Sequence, residues 1–180
     1  MVATPSESCF SSTHTHQEID MSQTILIPLD LDQPAVLDSV FAAINNIVGT
    51  ESARLILLTV IPQAEVGDFP YVGTEYVKKL GESAQNQLLR IGADRLGDTL
   101  EWQVDVRVGP VARTIVRRAD HFDADLIVMA SHNPVFLDVL LGSTARDVVK
   151  HARRSVLIVR QAEAEAAPAF DEVSHDALAD

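Results

Sequence analysis

The sequence has almost no cysteine, few aromatic residues and no long apolar run. Cys9 is the only cysteine among 180 residues, which excludes an intramolecular disulfide and a cysteine metal cluster. Aromatic residues make up 5% of the chain, so the core is expected to consist of Val, Leu, Ile and Ala. No run approaches the roughly 20 apolar residues of a membrane helix, and the polar N-terminus lacks the apolar segment of a secretory signal. We therefore expect a cytoplasmic protein without membrane insertion.

Basic residues are scarce as well. The chain has 14 Lys and Arg against 26 Asp and Glu, which gives a formal net charge of -12. A field of this sign repels phosphate backbones and argues against a nucleic-acid partner. It also repels a free nucleotide, so a nucleotide site in this chain needs backbone donors or a metal ion to overcome the field locally.

Apolar runs alternate with segments of helical periodicity along the chain. This alternation predicts an α/β protein with an open, parallel, doubly wound sheet, right-handed crossovers and helices on both faces. We interpret 1–22 as a disordered N-terminal extension, 23–160 as the single domain and 161–180 as an acidic C-terminal tail. The predicted strands are 24–29, 54–61, 102–108, 125–130 and 155–159.

The run at 102–108 alternates strictly between apolar and polar residues. This pattern predicts a half-exposed edge strand with Gln103, Asp105 and Arg107 toward solvent. The run at 155–159 is also expected at an edge, where an apolar strand invites pairing with another chain. A basic helix face is interpreted as solvated, and it consists of Arg113, Arg117 and Arg118.

The helical segments have apolar side chains at the spacing of one buried face. In the segment 74–95 and in the segment that follows Gly142-Ser143, these side chains are predicted to face the core. They are Tyr76, Val77, Leu80, Ala84, Leu88 and Ile91 in the first segment, and Ala145, Val148, Val149 and Ala152 in the second.

The carboxyl ends of the strands are the expected place for a ligand, at the point where the strand order reverses. The runs at 24–29 and 125–130 are uniformly apolar and are candidates for the centre of the sheet. If these two strands are neighbours, the loops that follow them face each other across one crevice. Asp30 then lies opposite the loop at 131–133.

Gly142-Ser143 opens the last predicted helix. Free N–H groups and the positive end of the helix dipole suit an anion such as phosphate at this position. Ser is also a preferred N-cap residue, so a purely structural capping role is the alternative. The sequence lacks a Gly-x-x-x-x-Gly-Lys-Ser/Thr loop, a dinucleotide fingerprint and a Gly-x-Ser-x-Gly elbow, and no lysine lies in the candidate phosphate loop. Fast hydrolysis of ATP is therefore not expected.

Four segments together resemble the universal stress proteins. They are ILIPLD at 25–30, Gly109-Pro110, MASH at 129–132 and the ending LLGSTARDVVKHARRSVLIVR at 140–160. The resemblance covers 24–160 and implies strand order 3-2-1-4-5 in a Rossmann-like, adenine nucleotide alpha hydrolase-like fold. It also implies a homodimer in which the strand from Ser155 to Val159 pairs across a two-fold axis.

The resemblance further implies an ATP site, with Mg²⁺ as a candidate companion of the phosphates. Ala130 and Asn133 stand where nucleotide-binding members have glycines, and the spacer from Asn133 to Gly142 is one residue short. The run ASHNP…LLGS is similar to a subgroup of the family in which some members bind ATP. By position, the site is Pro28, Leu29 and Asp30 at the adenine, Val60 at the base pocket, Met129 and Ala130 near the ribose, and His132, Asn133, Gly142, Ser143 and Thr144 around the phosphates.

Three functions remain open at this stage. The main hypothesis is a homodimeric stress-response protein that binds ATP and changes its interactions with unidentified protein partners. The second is a nucleotide-free dimeric interaction protein, which the residues at Ala130 and Asn133 support. The third is a slow ATPase or an autophosphorylating protein, although a dedicated enzyme is not expected.

Overall fold

The computed structural model of the protein describes residues 23–48, 53–63, 74–98, 100–131 and 141–160. The predicted extension 1–22 and the acidic tail 161–180 lie outside these residues. None of the described helices is long and apolar enough to cross a membrane. The elements are β1 (Gln23–Pro28), a 3-10 turn (Pro34–Val36), α1 (Leu37–Val48), β2 (Ala53–Ile61), α2 (Thr74–Arg95), β3 (Glu101–Val108), α3 (Val111–His121), β4 (Leu126–Ser131), α4 (Ser143–His151) and β5 (Ser155–Arg160).

The five strands form one parallel sheet in the order β3-β2-β1-β4-β5. This confirms the α/β fold class and the strand order that the family resemblance implies. β1 lies at the centre, where it pairs with β2 along its whole length and with β4 at Ile25 and Leu26. The strand order reverses between β1 and β4, and their carboxyl ends therefore open onto a crevice.

The sheet separates two apolar clusters, which confirms that helices cover both faces. Ile25, Ile27 and Leu55 belong to the cluster that α1 and α2 cover. Leu26 and Ile127 belong to the cluster on the other face, under α3 and α4. Successive side chains of a strand point to opposite faces. β1 therefore buries side chains in both clusters, which explains why its central residues are all apolar.

The polar face of β3 was predicted to be solvated, and this is wrong for Asp105. Asp105 is only 7% exposed because the side chain of Arg118 reaches it from α3, whereas Arg107 on the same face of β3 is exposed. The Nε atom of Arg118 lies 2.6 Å from one carboxylate oxygen of Asp105, and the Nε atom of Arg107 lies 2.8 Å from the other. Arg118 also lies over the ring of Phe122 at 4.6 Å, so its place in a solvated basic face is wrong as well.

Two helix positions that were predicted to face the core are exposed. Tyr76 is 54% exposed and Val149 is 46% exposed. Tyr76 lies in the first turn of α2, whose 22 residues span about 33 Å, whereas the eight residues of β3 span about 26 Å. The first turn of α2 therefore extends past the sheet. In α4, only the stripe through Ala145 and Val148 is buried, and Val149 lies about 100° away from it.

Arg154 joins the end of α3 to the start of β5. Its Nη2 donates a 2.7 Å hydrogen bond to Asp123, and its Nε lies 3.7 Å from Asp120. The hydrogen bond to Asp123 raises the pKa of Arg154 above its ordinary value. The guanidinium, which is charged at any working pH, links the end of α3 to the amino end of the edge strand.

Candidate functional site

A cavity of about 610 Å³ lies at the carboxyl ends of β1, β2 and β4. Its volume falls within the range of roughly 300–1,000 Å³ that is typical of small-molecule sites. α2 and α3 border it, and the N-terminus of α4 closes one end. The strand ends contribute Pro28, Leu29, Asp30, Leu58, Thr59, Val60, Ile61, Met129, Ala130 and Ser131 to its lining.

The end of β1 is fixed by two hydrogen bonds from β2. The main-chain N–H of Leu29 donates to the carbonyl of Leu58 at 2.8 Å, and the hydroxyl of Thr59 donates to the carbonyl of Leu29 at 3.0 Å. Pro28 has no N–H to donate, and it is the last residue of β1. Leu29 is therefore held to β2, although it lies beyond the strand, and Asp30 follows at the edge of the cavity.

Asp30 has a local structural role as well as a place in the cavity. Its Oδ1 accepts a 3.1 Å hydrogen bond from the N–H of Asp32, and its carbonyl accepts one from the N–H of Gln33 at 3.2 Å. These bonds hold the turn that leads into α1. The second carboxylate oxygen has no hydrogen bond among the described residues, so Asp30 can still accept a hydrogen bond from a ligand.

The N-terminus of α4 has no side-chain cap, so the alternative of a capping role for Ser143 is wrong. Gly142 is the N-cap residue, and no side chain caps the helix. Its carbonyl accepts the first hydrogen bond of the helix, from Arg146 at 2.9 Å. Ser143 is the first residue of α4 and is not its cap. The hydroxyl of Ser143 therefore does not compete for the first N–H groups of the helix, and a ligand can use these donors.

The cavity brings together all of the predicted site residues that the structure describes, although their roles in binding stay predictions. His132 and Asn133 lie outside the described residues. Ala130 has no positive φ and pairs with Val159 within the β4–β5 ladder, so the conformational freedom of a glycine is not required there. The predicted residues in the lining are Pro28, Leu29, Asp30, Val60, Met129, Ala130, Gly142, Ser143 and Thr144.

Sequence reasoning missed several residues of the lining. Thr59 is the one polar residue in the otherwise apolar run 55–61 of β2, and this contrast was an available signal. Ser83 and Gln87 of α2 are four residues apart and therefore lie on one helix face, but only the packing of α2 against the sheet brings that face to the cavity. α3 contributes Val111 and Ile115.

The two ends of the cavity differ in charge. Asp30 and Asp32 are the only charged residues in the described lining, and they lie at the end of β1. The opposite end has the positive pole of the α4 dipole. The described residues contain no group of three His, Cys, Asp or Glu that could hold a metal ion. The arrangement suits a ligand with a hydrogen-bond donor at one end and an anionic group at the other.

The amino-acid sequence matches a family model described as the universal stress protein family, over residues 21–160. Universal stress protein G of Salmonella typhimurium is 27% identical over 143 residues, which cover 78% of this chain and all of that protein. The match to the family model spans the whole of the described sheet and its helices.

Solved structures share the fold. MJ0577, which is named a universal stress protein of Methanocaldococcus jannaschii, has a structure with a TM-score of 0.67 and 26% identity, over 79% of this chain and 98% of that one. A universal stress protein solved in complex with cAMP has a TM-score of 0.50 and 22% identity, over 77% of this chain and 97% of that one.

Proposed function

We propose that the chain, which belongs to the universal stress protein family, binds an adenine nucleotide in the cavity at the carboxyl ends of β1, β2 and β4, with ATP as the preferred ligand. One observation carries the proposal: the cavity joins the carboxylate of Asp30 to the uncapped N-terminus of α4. These two ends match the exocyclic amine of adenine and the phosphates of the same molecule.

At the adenine end, the base packs between apolar side chains that the strand ends present. Leu29, Val60 and Met129 line this part of the cavity. The amine of adenine donates to the carboxylate oxygen of Asp30 that the local turn does not use. Hydrogen bonds to charged groups contribute about 1.5–3 kcal/mol each, so Asp30 provides selectivity for an amine at this position of the base.

At the phosphate end, Gly142, Ser143 and Thr144 supply main-chain N–H groups and two hydroxyls. No basic side chain belongs to the described lining, so the phosphate charge is met by these donors, by the dipole of α4 and by Mg²⁺ on the phosphates. Mg²⁺ is commonly held by phosphates together with waters and only one or two carboxylates. The described lining has no carboxylate at this end, so the hydroxyls of Ser143 and Thr144, together with waters, would be the ligands of such an ion beside the phosphates.

The relative solved with cAMP has the same fold, and at 22% identity the likeness establishes the fold alone. The proposal therefore depends on the cavity of this chain. It includes the expectation that the protein acts in the cytoplasm as a homodimer through β5. An edge strand with exposed apolar side chains favours pairing with a second copy, and protein partners then respond to the nucleotide state of the dimer.

A second candidate is a dimeric interaction protein that does not bind nucleotide. The side chains of Ala130 and Asn133 favour it, because they replace two glycines that let a phosphate approach the main chain closely in similar proteins. Slow ATP hydrolysis or autophosphorylation is the weaker alternative, since no basic side chain of the described lining can neutralise charge in a phosphoryl-transfer step.

Equilibrium dialysis with labelled ATP, with and without magnesium, tests the proposal. We expect saturable binding that magnesium strengthens and that Asp30→Ala abolishes. Asp98→Ala is the control, because Asp98 is an exposed carboxylate outside the cavity. The absence of binding at millimolar ATP would instead favour the nucleotide-free protein, and mass spectrometry of the purified protein checks whether a nucleotide co-purifies.

A further inference from the structure

A second cavity, of about 630 Å³, forms a groove between α3 and α4, the two helices that cover one face of the sheet. Its floor is apolar, and two exposed arginines, Arg113 and Arg117, line one wall. Neither arginine has an ion pair or hydrogen bond with another described residue. We call this cavity the α3–α4 groove, and its lining is Pro110, Val111, Ala112, Arg113, Val116, Arg117, Ser143, Thr144, Asp147 and His151.

The charge of the chain is unevenly distributed between the α3–α4 groove and the C-terminal segment. The segment 161–180 contains six acidic residues and none of the 14 Lys and Arg of the chain. In contrast, the groove is lined by two arginines, Arg113 and Arg117, and by one carboxylate, Asp147. Arg146 and Lys150 are exposed on α4 and extend the basic surface beside the groove. The surface that surrounds the groove and the segment that follows β5 are therefore opposite in charge.

The C-terminal segment also has the chemistry and the reach to occupy the groove. Phe170 is followed by Asp171 and Glu172, so one apolar ring and two adjacent carboxylates match an apolar floor beside two arginines. Arg160 ends β5 at the carboxyl edge of the sheet, and the groove begins at the same edge with Ser143. The ten residues from Arg160 to Phe170 span up to about 33 Å, more than twice the roughly 13.5 Å length of α4.

We propose that the acidic segment 161–180 docks in the α3–α4 groove of its own chain, with Phe170 on the apolar floor and Asp171 and Glu172 paired with Arg113 and Arg117. The groove and the nucleotide cavity share Ser143 and Thr144. The docked carboxylates therefore lie close to the phosphate end and oppose the binding of phosphates. This last step rests on the proposed nucleotide site, whereas the docking itself does not.

Paramagnetic relaxation in the full-length chain tests the docking without any nucleotide. A spin label on Ala169→Cys, in a Cys9→Ser background, is expected to broaden the amide signals of 111–117 and 143–147. The double substitution Arg113→Gln/Arg117→Gln should remove this broadening. The control Lys79→Gln/Arg90→Gln removes two exposed charges from α2, on the opposite face of the sheet from the groove, and should leave the broadening unchanged.

A charge exchange separates loss of docking from loss of folding. Asp171→Lys/Glu172→Lys alone is expected to abolish the broadening, and its combination with Arg113→Glu/Arg117→Glu is expected to restore it. Broadening confined to another surface, or absent from the unsubstituted groove, would overturn the docking. In a mixture, the isotope label and the spin label can be placed on different chains. Broadening of the groove signals in this mixture as strong as in the doubly labelled chain would show that the segment docks on a second copy, and this result would also overturn the docking within one chain.

Addition of ATP with magnesium tests the competition separately. We expect the broadening at 143–147 to fall as ATP saturates the protein. If dialysis shows that ATP binds and the broadening persists at saturation, the competition is wrong. If dialysis shows no binding of ATP, the proposed function fails, and the docking is still judged by the broadening in the absence of nucleotide.

Discussion

The hydroxyl of Thr59 donates a 3.0 Å hydrogen bond to the main-chain carbonyl of Leu29. Both residues are buried, and the bond joins the carboxyl ends of β2 and β1 at the wall of the proposed nucleotide cavity. An unpaired buried carbonyl is costly, and no main-chain N–H of the described residues donates to this one, so the hydroxyl of Thr59 provides its partner. Asp30 follows Leu29 directly in the chain, so the contact that fixes Leu29 also helps to position Asp30.

Thr59→Val keeps the shape of the side chain and removes the donor. We expect the free energy of unfolding to fall by about 1–3 kcal/mol, the usual cost of an unsatisfied buried polar group, as measured by urea denaturation. Thr59→Ser is the control, because it keeps the hydroxyl and loses one methyl group, which is worth about 0.8 kcal/mol. A Thr59→Val protein as stable as the unsubstituted chain would show that the Leu29 carbonyl finds another partner.

Arg118→Met breaks the buried ion pair with Asp105 while it keeps much of the side-chain volume. Removal of one partner of a buried pair costs about 3–5 kcal/mol, and Arg107 still contacts the carboxylate, so we expect a loss of about 2–4 kcal/mol in urea denaturation. Arg90→Met replaces an exposed arginine of α2 and should change stability by less than about 0.5 kcal/mol. Equal effects of the two substitutions would contradict a special role for Arg118.

Alanine substitutions at two glycines of α2 are expected to change the stability of the protein in opposite directions. A Cβ atom built on Gly92 would lie 2.5 Å from the ring of Trp102, whose Nε1 is fixed by a 2.9 Å hydrogen bond to the carbonyl of Gly97. Gly92→Ala is therefore expected to destabilise the protein by about 1–3 kcal/mol. Gly81 has no atom within 4 Å of its built Cβ, so Gly81→Ala should stabilise the helix by about 0.5–1 kcal/mol. Thermal unfolding of both variants measures the difference, and equal signs would contradict this packing.

Base selectivity follows from the two oxygens of Asp30. Asp30→Asn can keep the Oδ1 acceptor of the local turn and present an amide donor to the base in place of the second oxygen. The unsubstituted protein is expected to prefer ATP over ITP, which has a carbonyl in place of the amine. Asp30→Asn should reduce this preference by about 10- to 100-fold, which corresponds to one charged hydrogen bond.

Calorimetric titration of both nucleotides into each variant measures this ratio. Asp32→Asn is the matched control, because Asp32 also lines the cavity and its contact with Asp30 uses only the main-chain N–H. Its ratio should stay that of the unsubstituted protein. A base preference that Asp30→Asn leaves unchanged would contradict the assignment of the adenine end to Asp30.

The sequence predicted the elements well because their signals are local. The uniformly apolar run around Ile25 predicted a central strand, and helical spacing predicted the bounds of α2 at Thr74 and Arg95. The order of the strands came from the family resemblance, since periodicity alone does not pair strands. Asp105 was assigned to solvent because an alternating pattern shows that two faces differ, but it does not show that a helix covers the second one.

Only part of the candidate site was predicted, because only some of its residues are marked by local sequence signals. Asp30 and Gly142 were accessible to prediction, because a strand end and a helix start are marked in the local sequence. Ser83 and Gln87 were not, since they reach the cavity only through the angle at which α2 packs on the sheet. A capping role was the structural alternative for Ser143 from its residue type, whereas Gly142 takes that position and leaves Ser143 in the first turn.

The proposed dimer makes a prediction about the exposed edge of β5. β5 pairs only with β4 within the sheet, and Leu157 in its centre is 36% exposed. Leu157→Arg brings two like charges together when the strand pairs with a second copy across a two-fold axis. We expect sedimentation equilibrium to show a dimer for the unsubstituted chain and a monomer for this variant.

Leu89→Arg serves as the control for the dimer, because Leu89 is 41% exposed on α2, which packs on β3 and β2 at the opposite side of the sheet from β5. It adds the same charge to the surface and should leave the dimer intact. Urea denaturation checks that both variants fold. A folded Leu157→Arg protein that dimerises as strongly as the unsubstituted chain would place the interface elsewhere, because a buried pair of unmatched arginines at the centre of a strand interface costs several kcal/mol.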